Sequence, residues 1–295
     1  MNYKKMISDK NGKLSVIAIR NIEDLSYSQI QKALRNKDVI INGVRTNCDK
    51  NIKKGDEIEI YYTPAKTEVC DTLFLDDNIF VVNKKRGYTS ESVYERLKEK
   101  FANIRFIHRL DRNTAGVMFF ALNFDAENAL LNGFKKHTFD KFYLAEVYGF
   151  MPKEKDVLCA YMKKDAAKAS VSVFDKRIVN SVPIKTGYEV IATSATTSLL
   201  KVKLFTGKTH QIRAHLAHLG HSVVGDGKYK NIDKKCITER KTQALTAVET
   251  VLHFDLKSPL YYLNNSVFNL KKAAKFDYSR AGQIFVKSGY DAIFE

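Results

Sequence analysis

Cysteine is scarce and scattered. The four in the chain of 295 residues, Cys48, Cys70, Cys159 and Cys236, form no C-x-x-C pair, which argues against a disulfide framework or a zinc knuckle and fits a reducing compartment. Long apolar runs are also missing. Nothing approaches the ~18 residues of a membrane span, and the opening MNYKKMISDKNGK has lysines but no apolar core of a signal peptide. A soluble, cytoplasmic protein with no membrane partner is expected. Acidic residues are in deficit, 33 Asp and Glu against 49 Lys and Arg, giving a net charge of +16. The basic surplus is spread along the chain, so it points to a polyanion-binding surface built into the fold, with nucleic acid as the first partner to consider. No internal repeat or low-complexity segment is visible. The length suits one large domain, or a small one joined to a medium one.

Three familiar site patterns each fail on a missing residue. HRLDRN, His108–Asn113, has an extra leucine relative to the kinase H-R-D loop, Asn113 follows too soon, and neither G-x-G-x-x-G nor D-F-G occurs. Gly207-Lys208-Thr209 ends like a phosphate-binding P-loop, but the glycine required five positions earlier is Val202. His210, His215, His218 and His221 crowd one segment without an H-E-x-x-H pair. A helix with Ile212, Leu216 and Leu219 on one face, closed by Gly220, describes that segment better. Neither a metal nor a cofactor is expected.

The first third of the chain predicts a compact unit. SYSQIQKALR opens with Ser26 and Gln29 in capping-box spacing and continues with Ile30, Ala33 and Leu34 at helical spacing. Asn42-Gly43 sits between β-branched runs as a hairpin turn, and KKGDEIEI turns at Gly55-Asp56 into an alternating strand. Lys32, Arg35, Lys37 and Arg45 are expected on exposed parts. A domain over 1–63 and a linker over 64–72 follow, with the remainder, 73–295, as a second domain. There LFLDDNIFVVNKKRG reads as a strand pair, Ser92 and Glu95 as a second capping box before a helix, and DAENALLNGFKKH as another helix. KFYLAEVYG, VLCAYM, ASVSVF, YEVIAT and SLLKVKLF read as strands. Strands outnumber helices without regular alternation, so the class is α+β with a largely antiparallel sheet.

Candidate chemistry centres on Asp111, Tyr143 and Arg213. An aspartate in a loop between Arg109 and Arg112 is expected to stay charged, which suits nucleophilic or charge-stabilising work. A structural ion pair or cap is an equal reading on spacing alone.

Two resemblances bear on that choice. The helix, VIINGVRT and KKGDEIEI resemble the small αL-type RNA-binding module first described in a small-subunit ribosomal protein. HRLDRNTAG, VVNKKRG, KFYLAEVYG, GKTHQIRAHLAHLGHSVVGDGKY and QALTA resemble, in the family's order along the chain, the motifs of the RluA-like pseudouridine synthases. This resemblance implies the pseudouridine synthase fold, a mixed, largely antiparallel sheet flanked by helices. It also implies Asp111 as the catalytic residue, Tyr143 against the target base with a part in proton handling, Arg213 paired with Asp111, and Arg109 replacing a displaced base in the RNA stack. Lys208 and His210, beside Arg213, are assigned to RNA contact. The activity implied is isomerisation of uridine to pseudouridine in structured RNA by a cofactor-free monomer, with ribosomal RNA favoured over transfer RNA. The rivals are a non-catalytic RNA-binding or ribosome-assembly factor on the same fold and a glycosylase that releases free uracil. Lys85, Ala115, Lys208, Lys230 and Thr246 stand where the family commonly has Pro, Ser, Arg, Gly and His, which puts RNA preference in question more than catalysis.

Overall fold

The computed structural model describes residues 2–22, 25, 27–62, 68–165, 170–229, 242–270 and 285–286, in two compact units, Met1–Glu68 and Val69–Glu295. Ser26, Lys230, Cys236 and most of 271–295 lie outside the described residues, so the expected Ser26–Gln29 capping box does too. Of the C-terminal segment, Phe285 and Val286 pair with Thr193 and Ala192.

In the first unit the helix spans Tyr27–Arg35 and the hairpin joins Val39–Ile41 to Val44–Thr46. Asn42 and Gly43 both take positive φ, 49° and 79°, the geometry that makes Asn-Gly a tight two-residue turn. Glu57–Tyr62 buries Ile58, Ile60 and Tyr62 against Leu14, Ile17, Ile30 and Leu34. Two elements were not legible in sequence. Asn2–Ile7 pairs antiparallel with Glu57–Tyr62, and Leu14–Asn21 is a helix whose start is bonded from afar: Asp49 accepts from the Ser15 N–H at 2.9 Å and its hydroxyl at 2.7 Å. That acceptor is 34 residues distant, so no local capping pattern betrays it.

The second unit is built on a 12-stranded sheet. Its main path runs Ser170–Phe174, Lys155–Asp165, Val182–Thr193, Thr197–Leu204, Asp140–Tyr148, Leu245–Val251, Ala115–Ala121, Ile79–Lys84 and Cys70–Leu75. Neighbours along it are antiparallel except Ala115–Ala121 with Leu245–Val251. GVMFFA is apolar without alternation because both faces of the sheet are covered there. Val117 and Phe119 meet Ala126 and Leu130 of the helix Phe124–Lys136 on one side, while Met118 and Phe120 meet Val93 and Leu97 of the helix Ser90–Lys98 on the other. A third core joins Ile212 and Leu216 of the helix Gln211–His218 to Ala145, Val147 and Val202. Among the described residues no helix is long and apolar enough to cross a membrane.

Three sequence expectations shift. Cys70, Asp71 and Thr72, placed in the linker, pair with Lys84, Asn83 and Val82 as part of the sheet. Thr89, not Ser92, caps the helix Ser90–Lys98 and accepts from the Ser92 N–H at 3.1 Å. Helix formation starts earlier because the buried Ser90 is held by Leu110 of a distant loop. Leu219 lies past the end of its helix and is 39% exposed, so Ile212 and Leu216 alone anchor that face.

Candidate active site

The loop carrying Asp111 is tethered on both sides. The Ser90 hydroxyl donates to the Leu110 carbonyl at 2.9 Å and accepts from the Leu110 N–H at 2.8 Å. Beyond Asp111, the Arg112 carbonyl accepts from the Gly87 N–H at 2.9 Å and from Lys84 Nζ at 3.2 Å. Lys84 is fully buried and also donates to the carbonyls of Lys85 and Tyr88. Burial first, and Arg86 next, pull its pKa down to about 8. Asp111 itself closes a turn by accepting from the Thr114 N–H at 3.0 Å through its carbonyl, and Gln243 donates to the Thr114 hydroxyl. Gly116, at φ 125°, lies near the start of the strand that follows. A Cβ there would lie 2.1 Å from the Ala247 carbonyl oxygen, so only glycine lets the two parallel strands approach.

Charge balance at Asp111 is set across the fold. Arg112 is exposed, and Arg109 is exposed and pairs with Glu91 at 3.2 Å. The cation on the carboxylate is Arg213, 102 residues away, with Nη1 at 2.8 Å from Oδ2. Expecting the flanking arginines to supply this charge is therefore corrected: one turns to Glu91 and the other to the surface. Arg213 is shared. Its Nε and Nη2 grip Asp226 in a fork at 2.6 and 3.0 Å, and Asp226 also receives the backbone N–H groups of Lys228 and Tyr229. Burial opposes ionisation of Asp226, but the Arg213 fork and those N–H groups outweigh it and hold the pKa below the usual carboxylate range. Burial likewise opposes the charged Arg213, and its bonds to Asp226 and Asp111 raise its pKa despite that.

His210 completes the group. Its Nδ1 is 2.8 Å from the Tyr229 hydroxyl, which accepts from the Val171 N–H, and its Nε2 is 3.7 Å from Asp111 Oδ2. Burial, opposed by Asp111 and aided by Arg213, lowers its pKa, so the ring is neutral near pH 7. A bare Nε2 would set its lone pair against the carboxylate, so the tautomer is the one with Nε2–H facing Asp111 and Nδ1 accepting from Tyr229. Arg213 and His210 thus both address Oδ2. Among the described residues no hydrogen bond or ion pair reaches Oδ1.

Tyr143 lines the same cleft, of about 320 Å³, with Asp111, Arg213, His210, Lys208 and Arg109. It sits where the register of Asp140–Tyr148 against Leu245–Val251 slips between Phe142 and Tyr143, an irregularity that re-aims a side chain. Burial, and then the Asp111 carboxylate, raise its pKa above the ordinary tyrosine value, so it stands as a neutral phenol. His108, in the wall, is a packing group: it stacks on Phe134 at 4.2 Å, and its Nε2 accepts from the Phe119 N–H at 3.0 Å. Burial first, then Lys141, push its pKa down to about 3.

All six sequence-derived residues of the second unit, Arg109, Asp111, Tyr143, Lys208, His210 and Arg213, line this one cleft. Lys32, Arg35, Lys37 and Arg45 lie in the first unit and are exposed, with Arg45 donating to the Lys37 carbonyl at 2.8 Å. Residues not picked out by sequence reasoning are Lys84, Ser90, Lys141, Asp226 and Tyr229. The last two sit in HSVVGDGKY, where the Gly225-Asp226 pair was the available signal. Three of the family departures cluster: Ala115 and Thr246 are register partners, and Arg86, next to Lys85, donates to the Thr246 hydroxyl at 3.0 Å.

An acid, a cation and a phenol thus line one cleft beside the mixed sheet, and comparison with known proteins identifies the class of enzyme. The family model described as RNA pseudouridylate synthase matches residues 78–218. The fold is also that of the human RNA Pseudouridylate Synthase Domain Containing 1, at TM-score 0.58 and 24% identity, covering 66% of this chain and 83% of that one. Among curated relatives, the dual-specificity RNA pseudouridine synthase RluA of Vibrio parahaemolyticus is 30% identical over 198 residues, 61% of this chain and 76% of its own length. The ribosomal large subunit pseudouridine synthase D of Blochmanniella floridana is 30% identical over 249 residues, 74% and 75% of the two chains. The chain belongs to the RluA-like family of RNA pseudouridine synthases, isomerases that convert uridine to pseudouridine in RNA.

Proposed function

We propose that this enzyme isomerises specific uridines of structured RNA through Asp111, with ribosomal RNA ahead of transfer RNA as substrate. The observation that carries the reading is the placement of Asp111, its Oδ2 held at 2.8 Å by Arg213, in one cleft with the neutral phenol of Tyr143. Isomerisation breaks the C1′–N1 bond, turns the uracil while it is held, and joins C1′ to C5. The C5 proton leaves to water, and no outside group or electron is exchanged. Such chemistry needs a charged group already oriented in a site that restricts water, and the Ser90, Lys84 and Arg213 contacts orient Asp111 in advance. Tyr143 offers an aromatic face to the detached base. Flipping a paired base out costs on the order of a few kcal/mol, offset by phosphate contacts from the basic surface. The large-subunit name of the Blochmanniella relative supports ribosomal RNA; the dual specificity of the Vibrio one keeps transfer RNA second.

The test uses RNA tritiated at uridine C5 from cells lacking this enzyme. Tritium release to water without free uracil supports the isomerase, free uracil indicates a glycosylase, and no release from any RNA fraction indicates a binding factor. In the same assay Tyr143→Phe, which keeps the ring and loses the hydroxyl, is expected to bind RNA normally and turn over about a hundredfold or more slowly. Wild-type turnover would confine Tyr143 to packing.

The first unit is assigned to RNA binding of the αL type, supported by exposed Lys32, Arg35, Lys37 and Arg45 on its helix and the turn and hairpin beyond. Deleting residues 1–63 is expected to weaken RNA binding and to flatten its dependence on salt, by about 0.7–0.9 in log–log slope per phosphate that the unit neutralises. An unchanged slope assigns the unit a structural role only.

A further inference from the structure

Lys141 is a buried cation whose ammonium is bonded to no acid among the described residues, and only the charge of its sequence neighbour Asp140 acts on it from a distance. The residue is 9% exposed, yet among the described residues that ammonium makes no ion pair and no hydrogen bond. It stands over the face of the Phe134 ring, 5.8 Å from its centroid. Its neighbour in sequence, Asp140, is engaged elsewhere, with Lys203 at 2.7 Å and His253 at 3.5 Å. A lone ammonium is costly to bury, and it persists where something else supplies the counter-charge. Burial accordingly lowers its pKa, and the charge of Asp140 opposes that without cancelling it.

The surroundings indicate what that counter-charge is. Lys141 lines the cleft together with Lys208 and His137, and these two ammonium groups lower the His137 pKa after burial does. Lys141 Nζ lies beside Gly207, about where a Cβ on that residue would approach to 4.0 Å. One part of the cleft is therefore cationic and contains a glycine that leaves the backbone accessible. Asp111, Arg213 and Asp226 form the other charged group, in which one guanidinium is shared by two carboxylates that are already bonded to it.

We propose that Lys141, with Lys208 and His137, forms a subsite for the phosphodiester attached to the target uridine, so that the nucleotide is held by its phosphate while Asp111 acts at its sugar and base. Two ammonium groups and an imidazole suit a dispersed negative charge. A neutral uracil carbonyl needs one donor and would leave the remaining charge unanswered. The subsite rests on the isomerase reading above and extends it: it assigns the part of the substrate that must stay fixed while the base rotates.

Full-length wild type, Lys141→Met and Lys141→Arg would be compared by tritium release from the same C5-tritiated RNA at increasing potassium chloride. Methionine keeps the stem over Phe134 and removes the charge. Its kcat/KM is expected to fall about tenfold to a hundredfold and its log–log salt slope to decrease by about one, while Lys141→Arg keeps the wild-type slope. Uridine 5′-monophosphate should inhibit the wild type at least about tenfold better than uridine, and that preference should shrink at least about threefold in Lys141→Met, where Lys208 and His137 remain. An unchanged slope in Lys141→Met, or a wild type that does not distinguish nucleotide from nucleoside, overturns the subsite. Were Lys141→Met to fail to fold, the wild-type nucleotide preference and the same comparison in Lys208→Met decide. Absence of wild-type tritium release counts against the isomerase reading instead, and the salt slope of RNA retention on filters then judges the subsite by itself.

Discussion

Asp111→Asn is expected to lower tritium release by at least about a thousandfold while leaving RNA affinity within about threefold of wild type. The side chains have nearly the same shape, and apart from the contacts of Arg213 and His210 to the carboxylate itself and the Arg109–Glu91 pair, the loop is tethered through backbone atoms of Leu110, Asp111 and Arg112 and the side chain of Thr114. The substitution therefore removes the charge from a loop that stays in place. A neutral amide at that position still meets Arg213 Nη1 through its oxygen, so any fall in rate reports on chemistry and not on collapse of the site. Turnover above about a tenth of wild type would remove Asp111 from the mechanism. Filter binding beside the turnover assay separates the two effects.

Arg213→Met has a second large expected effect, on stability as well as rate. It leaves the buried Asp226 facing an apolar side chain, and breaking a buried pair in this way costs about 3–5 kcal/mol. Denaturant unfolding at pH 7 reads that cost as an earlier midpoint. The pH dependence has a definite sign. Because the folded-state pKa of Asp226 is lowered, the stability it contributes is present above the ordinary carboxylate value of about 4 and is lost as pH falls through the folded value. The wild-type advantage over Arg213→Met should thus shrink at acid pH. Arg213→Met with Asp226→Leu removes both charges and should recover most of the stability without recovering turnover, since Asp111 still lacks its cation. Recovered turnover in the double variant would reduce Arg213 to a structural cation. Arg213→Lys tests geometry, because a single ammonium cannot grip Asp226 in a fork and reach Asp111 at once.

Local features carried much of the fold. The Asn42-Gly43 turn, the alternation in Glu57–Tyr62, the helix Phe124–Lys136 and the strand Asp140–Tyr148 are each written in a few consecutive residues, through turn chemistry or periodicity. The helix Leu14–Asn21 was not, because its bonded start depends on Asp49. The cap at Thr89 was misplaced by three residues because Ser90 is occupied by Leu110 and not by its own helix. Each failure has the same origin: a polar group satisfied by a partner remote in sequence leaves no trace in local spacing.

The site divides in the same way. Sequence by itself determined the basic surplus, the α+β class, the family and the residue types Asp111, Tyr143 and Arg213, because these are carried by composition, periodicity and short ordered motifs. Tertiary structure alone decided which arginine meets Asp111, why Arg213 is also bound to Asp226, that His210 stands between Tyr229 and Asp111, and that the buried Lys141 ammonium is bonded to no acid among the described residues. Charge interactions act through space and fall off with distance. Arg109, two residues from Asp111, turns to Glu91, whereas folding brings Arg213 to 2.8 Å across 102 residues.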